Sequence, residues 1–242
     1  MPPSSVLDLP ANLWESFVCD KSREAYFYIL PHYAYSMHDT GIYTSTLYEK
    51  LLSLPWTSTT GRSALWLTRG NCVCPYRYGG RTHTPVAMPD WLSEVTDAVA
   101  NLVGISPSEA IQGCNVNMYA DTNIGLPFHA DNEPLFYPPL TKSRPQSRDI
   151  TIVSLSIGRS RVFQARRNFG ATVFSRRLFD GDILTMSGKS AQDGYQHAVA
   201  SEAEAALISS LAPIEDDPQA VRFNLTLRTI QTHCKVCPCR QH

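Results

Sequence analysis

Near its C-terminal end the chain reads Arg222-Phe223-Asn224-Leu225-Thr226-Leu227-Arg228, polar and apolar residues alternating without a break. Alternation with a period of two marks a strand whose two faces meet different surroundings. Phe223, Leu225 and Leu227 belong against a core. Arg222, Asn224, Thr226 and Arg228 share the opposite face. Two arginines on a face otherwise turned inward are costly unless anions meet them. The segment therefore requires a layered β fold in which one side of a sheet is apolar and the other receives negative charge, such as a small dicarboxylate.

The rest of the chain can be read against that strand. Lys21–Leu30 and Ser45–Leu54 read as short helices, each closed by a proline, Pro31 and Pro55. Asp90 is expected to cap a longer helix. Its stripe is Trp91, Leu92, Val95, Ala98, Val99, Leu102 and Val103, and Gly104 stops it. After Gly113 the texture changes to short strand-like segments at Asn115–Tyr119, Ile150–Ile157, Arg161–Ala165, Thr172–Phe179, Ile183–Met186 and Val221–Ile230. Turn signals such as Asp121-Thr122-Asn123 and Asp180-Gly181 separate them. The acid-rich stretch Ser201–Gln219 reads as a loop insertion. Helices first and strands after predict an α+β fold, a sheet sandwich with helices packed outside.

A chain of 242 residues can bury one large core, and 43% hydrophobic with 18% charged residues excludes a disordered chain. The net charge of −1 gives no global field toward nucleic acid. Locally the balance differs. Lys142, Arg144, Arg148, Arg159, Arg161, Arg166, Arg167, Arg176 and Arg177 face a single acid, Asp149, across one stretch. That stretch is either a solvated surface with internally paired arginines or a basic face for phosphates. Met1–Phe17 has neither the basic start nor the apolar run of a signal peptide. No apolar run is long enough to span a bilayer. Seven cysteines, an odd number, point to a reducing compartment rather than a disulfide framework. The expectation is an intracellular protein, cytoplasmic or nuclear, acting as a monomer without a membrane.

His129-Ala130-Asp131 reads as an H-x-D on a strand, which would turn both ligands to one face. A second histidine would complete a two-histidine, one-carboxylate triad of the kind that holds non-heme Fe(II). His197, in Tyr195-Gln196-His197-Ala198-Val199, is the best placed. His32, His38 and His83 precede the strand-rich region, and His233 and His242 lie in the tail.

Taken in order, these pieces resemble the AlkB family of Fe(II)- and 2-oxoglutarate-dependent dioxygenases, from about Trp66 to Ile230. The matching segments are Asn117-Met118-Tyr119, Phe128-His129-Ala130-Asp131-Asn132-Glu133, Ile152-Val153-Ser154-Leu155-Ser156-Ile157-Gly158, Gly181-Asp182-Ile183-Leu184, Gln196-His197-Ala198 and the arginine strand. The resemblance implies a double-stranded β-helix, or jelly-roll, core. It implies Fe(II) on His129, Asp131 and His197, and 2-oxoglutarate held by Asn117, Tyr119, Arg222, Asn224 and Arg228. In that arrangement Arg222 and Tyr119 take the distal carboxylate, and Arg228 and Asn117 lie nearer the chelating end. The implied domains are a helical extension over 1–60, a dioxygenase domain over 61–232 with a substrate lid around 69–84, and a Cys-rich tail over 233–242.

The family mostly removes alkyl groups from nucleobases, which implies a methylated nucleic acid partner, RNA or single-stranded DNA. Pro75-Tyr76-Arg77-Tyr78-Gly79-Gly80 resembles the family's recognition lid, and Glu133 falls where an acidic residue touches the base. Oxidation of a protein side chain or a lipid, as in some relatives, is the alternative. A separate signal lies in His233-Cys234-Lys235-Val236-Cys237-Pro238-Cys239-Arg240-Gln241-His242. Cys234, Cys237 and Cys239 suit a structural Zn site, with His233, His242, Cys72 or Cys74 as fourth ligand. A reduced, frayed terminus is the other reading. Cys19 and Cys114 read as small packing residues.

Overall fold

The structure is a computed structural model that describes residues 13–32, 43–105, 111–136, 151–188, 190–208 and 221–239. His38, Lys142, Arg144, Arg148, Asp149 and His242 lie outside the described residues. Two sheets form the body. The larger is eight-stranded, in the order β1-β2-β12-β9-β14-β7-β3-β6. Its strands are β1 Glu15–Asp20, β2 Ala25–Leu30, β3 Arg62–Thr68, β6 Val86–Ala87, β7 Gly113–Tyr119, β9 Ile152–Gly158, β12 Ile183–Ser187 and β14 Arg222–Arg228. The smaller sheet runs β11-β10-β13-β8, from Val173–Leu178, Arg161–Arg167, Tyr195–Val199 and Leu126–His129. A separate hairpin pairs β4 Tyr76–Tyr78 with β5 Arg81–His83. The two facing sheets make the jelly-roll core, with helices α1 Thr44–Leu52 and α2 Asp90–Leu102 outside.

The arginine strand sits in the middle of the large sheet, between β7 and β9. Phe223, Leu225 and Leu227 are wholly buried on its outer side. They pack in one cluster with Leu47 and Leu51 of α1 and with Leu92, Val95 and Val99 of α2. Each such side chain contributes about 1.5–3 kcal/mol by leaving water. That anchorage holds the other face of the strand inward, so Arg222 and Arg228 are only 1% exposed. A second cluster fills the space between the sheets, with Phe27, Ile29, Phe163, Leu184, Met186 and Tyr195. The alternation in the sequence thus separates a helix-covered core from a sheet-to-sheet interior.

Lys21–Leu30 is not a helix. Ala25–Leu30 is β2, hairpinned to β1 and hydrogen-bonded to β12. Phe27 and Ile29 enter the inter-sheet cluster while Tyr28 and Leu30 enter the outer one, so both faces are apolar and no alternation marks the strand. Residues 15–30 therefore extend the main sheet, and α1 is the α-helix among the described residues of the 1–60 segment. In α2 the cap position is Pro89, which gives no side-chain cap, and Asp90 is the first helical residue. The stop falls where expected. Gly104 has φ +71, Ile105 N–H donates to Ala100 O at 2.9 Å and Gly104 N–H donates to Asn101 O at 3.2 Å, a Schellman end. The segment after Ser201 begins with a short helix, Glu202–Ala206, closed by a capping box between Ser201 and Glu204. Gly113 is required by its neighbour: a Cβ there would stand 2.1 Å from the indole of Trp66.

Candidate active site

The smaller sheet brings the three predicted iron ligands together. His129 ends β8 and stands directly opposite His197 of β13, with ring centroids 4.2 Å apart. The two histidines are cross-strand neighbours in one sheet, not residues of facing strands. The strand stops at His129, so Asp131 lies in the following loop. The Gln192 side chain fixes that loop by accepting the Asp131 N–H at 3.1 Å. His129 Nε2 lies 3.7 Å from one Asp131 oxygen and His197 Nε2 lies 3.6 Å from the other. His129 Nδ1 is 2.8 Å from Pro127 O; donation there leaves Nε2 with its lone pair toward the carboxylate. Burial drives the His197 pKa down to about 3, which keeps the imidazole neutral.

Behind the triad runs a line of charge. Burial works against the Asp131 carboxylate, but the Arg228 guanidinium above all holds its pKa well below the usual range. Arg228 pairs with Asp131 and donates to Glu133 Oε2 at 2.9 Å. Glu133 Oε1 in turn accepts the Tyr76 hydroxyl at 2.9 Å. The AlkB resemblance put Glu133 where an acidic residue touches the base. The chain leaves β8 before Glu133 and enters a 3-10 turn at Pro134–Phe136, so the carboxylate bridges Tyr76 and Arg228 instead.

Arg222 differs from Arg228. It too is buried, yet one bond to Ser156 Oγ at 3.1 Å is its recorded side-chain hydrogen bond, and its Nε and Nη1 have no partner. Burial lowers its pKa to about 10. It stands opposite Tyr119 in the β14–β7 register, where Asn224 stands opposite Asn117. Both line a cleft that is also lined by the triad, Tyr78, Arg228 and Arg62. Arg62, which sequence reading missed, donates to Asn117 Oδ1 at 2.7 Å. Arg161 lies 5.6 Å from the Tyr119 ring centroid. A buried guanidinium with idle donors, backed by further arginines, calls for an anion with paired oxygens. Asn224 is already engaged: it donates to Ser154 Oγ at 2.5 Å and accepts from Thr226 at 2.9 Å. Its placement makes it a support for the cleft wall as much as a ligand.

The predicted lid is the β4–β5 hairpin, turned by Gly79 and Gly80, both with positive φ as a type I′ turn demands. Tyr76 is 3% exposed and packed among Trp66, Phe136 and His83, so it is a root of the lid and not an open platform. Tyr78 stacks on Tyr76 and meets His129 edge-on at 5.4 Å. Arg77, on the face opposite Tyr76 and Tyr78, and Arg81, opposite Tyr78 in the register, are both exposed. The basic run is largely spent internally. Arg161 binds Ala200 O and Ile124 O, Arg177 faces Glu202, Arg167 pairs with Asp20, and Arg176 pairs with Glu15. Arg166 donates to Gln196 and lies 4.0 Å from the Phe128 ring centroid.

The sequence profile described as the 2OG-Fe(II) oxygenase superfamily matches residues 43–228, the span that contains the triad, the lid hairpin, Arg222 and Arg228. The chain belongs to the 2OG-Fe(II) oxygenase superfamily. Comparison with curated proteins gave no match. Among solved structures, one titled "The structure of OsALKBH1" shares the fold of this oxygenase at a TM-score of 0.50 and 17% identity, covering 84% of this chain and 97% of that one. The likeness agrees with the jelly roll expected from the AlkB resemblance. Members of the superfamily use Fe(II) and 2-oxoglutarate, and the donor sets here fit both. His129, Asp131 and His197 could hold the iron, and Arg222 offers idle donors to a carboxylate. No helix among the described residues is long and apolar enough to cross a membrane.

A second group of donors also converges: Cys72, Cys74, His233 and Cys237, whose ligand atoms all lie within 4.8 Å of one another. It could bind zinc. Of the three tail cysteines predicted for zinc, only Cys237 belongs to it. Cys239 Sγ turns to Gly70 O at 2.9 Å, and Cys234 contributes its backbone N–H to Cys74 Sγ at 3.1 Å. The upstream Cys-Val-Cys supplies the remaining thiols.

Proposed function

We propose that this oxygenase removes N-linked methyl groups from bases of nucleic acid, RNA or single-stranded DNA, with release of formaldehyde, succinate and CO2. The observation that carries the reading is the lid hairpin. Tyr78 stands edge-on to His129, Arg77 projects from the opposite face of the hairpin, and Arg81, opposite Tyr78 in the register, is exposed beside the turn. A flat base presented beside Tyr78 would leave its phosphates near those two cations. The fold shared with OsALKBH1 is in keeping with this reading. When bound, Fe(II) and 2-oxoglutarate with O2 supply the oxidation of the methyl C–H bond. The chain's own part is to hold the ligands and exclude water. His129, Asp131 and His197 present three donors from one side, Arg222 with Tyr119 receives the distal carboxylate, and Tyr78 covers the cleft.

The internal pairing of Arg161, Arg167, Arg176 and Arg177 favours a second reading, in which the substrate is a protein side chain or a lipid. Formaldehyde release from RNA and DNA oligonucleotides carrying 1-methyladenine, 3-methylcytosine or N6-methyladenine, run beside methylated peptides, separates the two. The nucleic acid reading expects release from at least one oligonucleotide, none from peptides, and none from His129→Ala. Release from peptides alone overturns it.

A further inference from the structure

Cys72 and Cys74 lie in the loop that leads from β3 to the lid hairpin, and His233 and Cys237 lie beyond the arginine strand β14. Cys72, Cys74 and Cys237 are buried. His233 Nδ1 stands 3.8 Å from Cys72 Sγ, 3.6 Å from Cys74 Sγ and 3.3 Å from Cys237 Sγ, and the Cys72 and Cys237 sulfurs are 3.7 Å apart. With Zn–S of about 2.3 Å and Zn–N of about 2.0–2.1 Å, a tetrahedron has S···S edges of about 3.8 Å and S···N edges of about 3.6 Å. Four of the six donor–donor edges thus lie at 3.3–3.8 Å, close to those of a zinc tetrahedron, and the other two are within 4.8 Å. Three sulfurs and one imidazole in a tetrahedron select zinc over oxygen-loving ions. The Cys234 N–H is aimed at Cys74 Sγ at 3.1 Å.

The position of this group gives it a task. Tyr76 follows Cys74 by two residues, and His233 follows Arg228 by five. Trp66 donates its indole N–H to Cys74 O at 2.9 Å and packs on Tyr76. Gln231 and Thr232 N–H both donate to Leu135 O at 3.1 Å, fastening the tail to the turn after Glu133. Between the two metal groups therefore runs the line Tyr76, Glu133, Arg228, Asp131. We infer that a zinc ion on Cys72, Cys74, His233 and Cys237 clamps the root of the lid to the segment after β14, fixing Tyr76 and Arg228 relative to the iron ligands. Without the ion the lid loses one of its two fixed ends and opens by local unfolding.

The test needs no turnover, so its failure is distinct from failure of the demethylase reading. Protein purified without added metal is analysed for zinc and digested with trypsin, which can cut the lid at Arg77 and Arg81. About one Zn per chain is expected in the wild type, Cys234→Ser and Cys239→Ser, and essentially none in Cys74→Ser and His233→Ala. Cleavage at Arg77 or Arg81 should be about tenfold faster in His233→Ala than in wild type, the change expected when a local opening becomes easier by one power of ten. Should Cys74→Ser fail to fold, native alkylation of the wild type serves in its place. Cys72, Cys74 and Cys237 should be protected, and Cys234 and Cys239 modified. A wild type without zinc, or zinc that survives His233→Ala but not Cys239→Ser, overturns the site. Equal cleavage rates overturn the clamp.

Discussion

Arg228 and Asp131 form a buried ion pair between the large sheet and the loop that follows β8. Breaking a buried pair by removing one partner typically costs about 3–5 kcal/mol, because the remaining charge stays in the interior. Asp131 is also expected to bind a divalent ion, which would compensate the same charge. Arg228→Gln should therefore destabilise the metal-free protein by about 3–5 kcal/mol and the ion-loaded protein by distinctly less. Urea unfolding with and without Mn(II), a redox-inert stand-in for the iron, measures both. An equal loss in the two states would show that Asp131 does not meet the ion.

Arg222 leads to a separate prediction, since its idle Nε and Nη1 need a bidentate partner. Lysine keeps the charge but offers a point cation in place of a fork. Arg222→Lys should raise the Michaelis constant for 2-oxoglutarate about tenfold, equivalent to about 1.4 kcal/mol, while the Fe(II) requirement stays the same. An unchanged constant in steady-state succinate release would remove Arg222 from the cosubstrate site.

Much of this site was legible because a strand imposes a period of two on whatever it carries. Arg222, Asn224, Thr226 and Arg228 could be assigned to one face before any coordinates; Asn117 and Tyr119 entered only through the AlkB resemblance, and the register sets them opposite Asn224 and Arg222. The iron triad was legible as a residue type and spacing, although Asp131 reaches its place through a loop bond to Gln192 and not by continuing a strand. Where both faces of a strand are buried, as in Tyr26–Leu30, the period vanishes and helix and strand look alike. Pairings across long sequence separations were harder to read. Nothing near Glu133 announces that Tyr76 and Arg228 will meet its two oxygens. Residue type could offer Cys72 or Cys74 to the tail thiols, but not that both would join Cys237 and His233. Arg62 stands alone at the start of its strand, with no local signal of Asn117.

Glu133 is expected to act as a positioning residue. Its oxygens are turned to Tyr76 and Arg228, and it is not among the residues that line the cleft. Glu133→Gln should lower kcat by a similar factor for cationic and neutral methylated bases, about tenfold for the loss of one charge-assisted bond in the supporting chain, and should leave oligonucleotide affinity within about twofold. Competition assays with 3-methylcytosine and N6-methyladenine in one oligonucleotide give the ratio directly. A selective loss on the cationic base would return Glu133 to the substrate pocket.

Asp20 joins the edge strand β1 to the small sheet, and its ionisation gives the fold a defined acid limit. Its carboxylate accepts from Ser22 Oγ at 2.6 Å and Tyr195 Oη at 2.8 Å and pairs with Arg167 at 2.8 Å. The Ser22 bond, opposed by burial and aided by Tyr195 and Arg167, lowers its pKa from 3.8 to about 2. A carboxyl depressed in the folded state binds fewer protons there than in the unfolded chain. Its contribution is complete above the unfolded value of 3.8 and is lost as pH falls toward about 2. Asp20→Asn should therefore be less stable than wild type by a constant margin above about pH 5, and the margin should shrink steadily below that. Urea midpoints of both proteins across the acid range test this, and a margin that does not change with pH would mean that Asp20 holds the sheets together through packing alone.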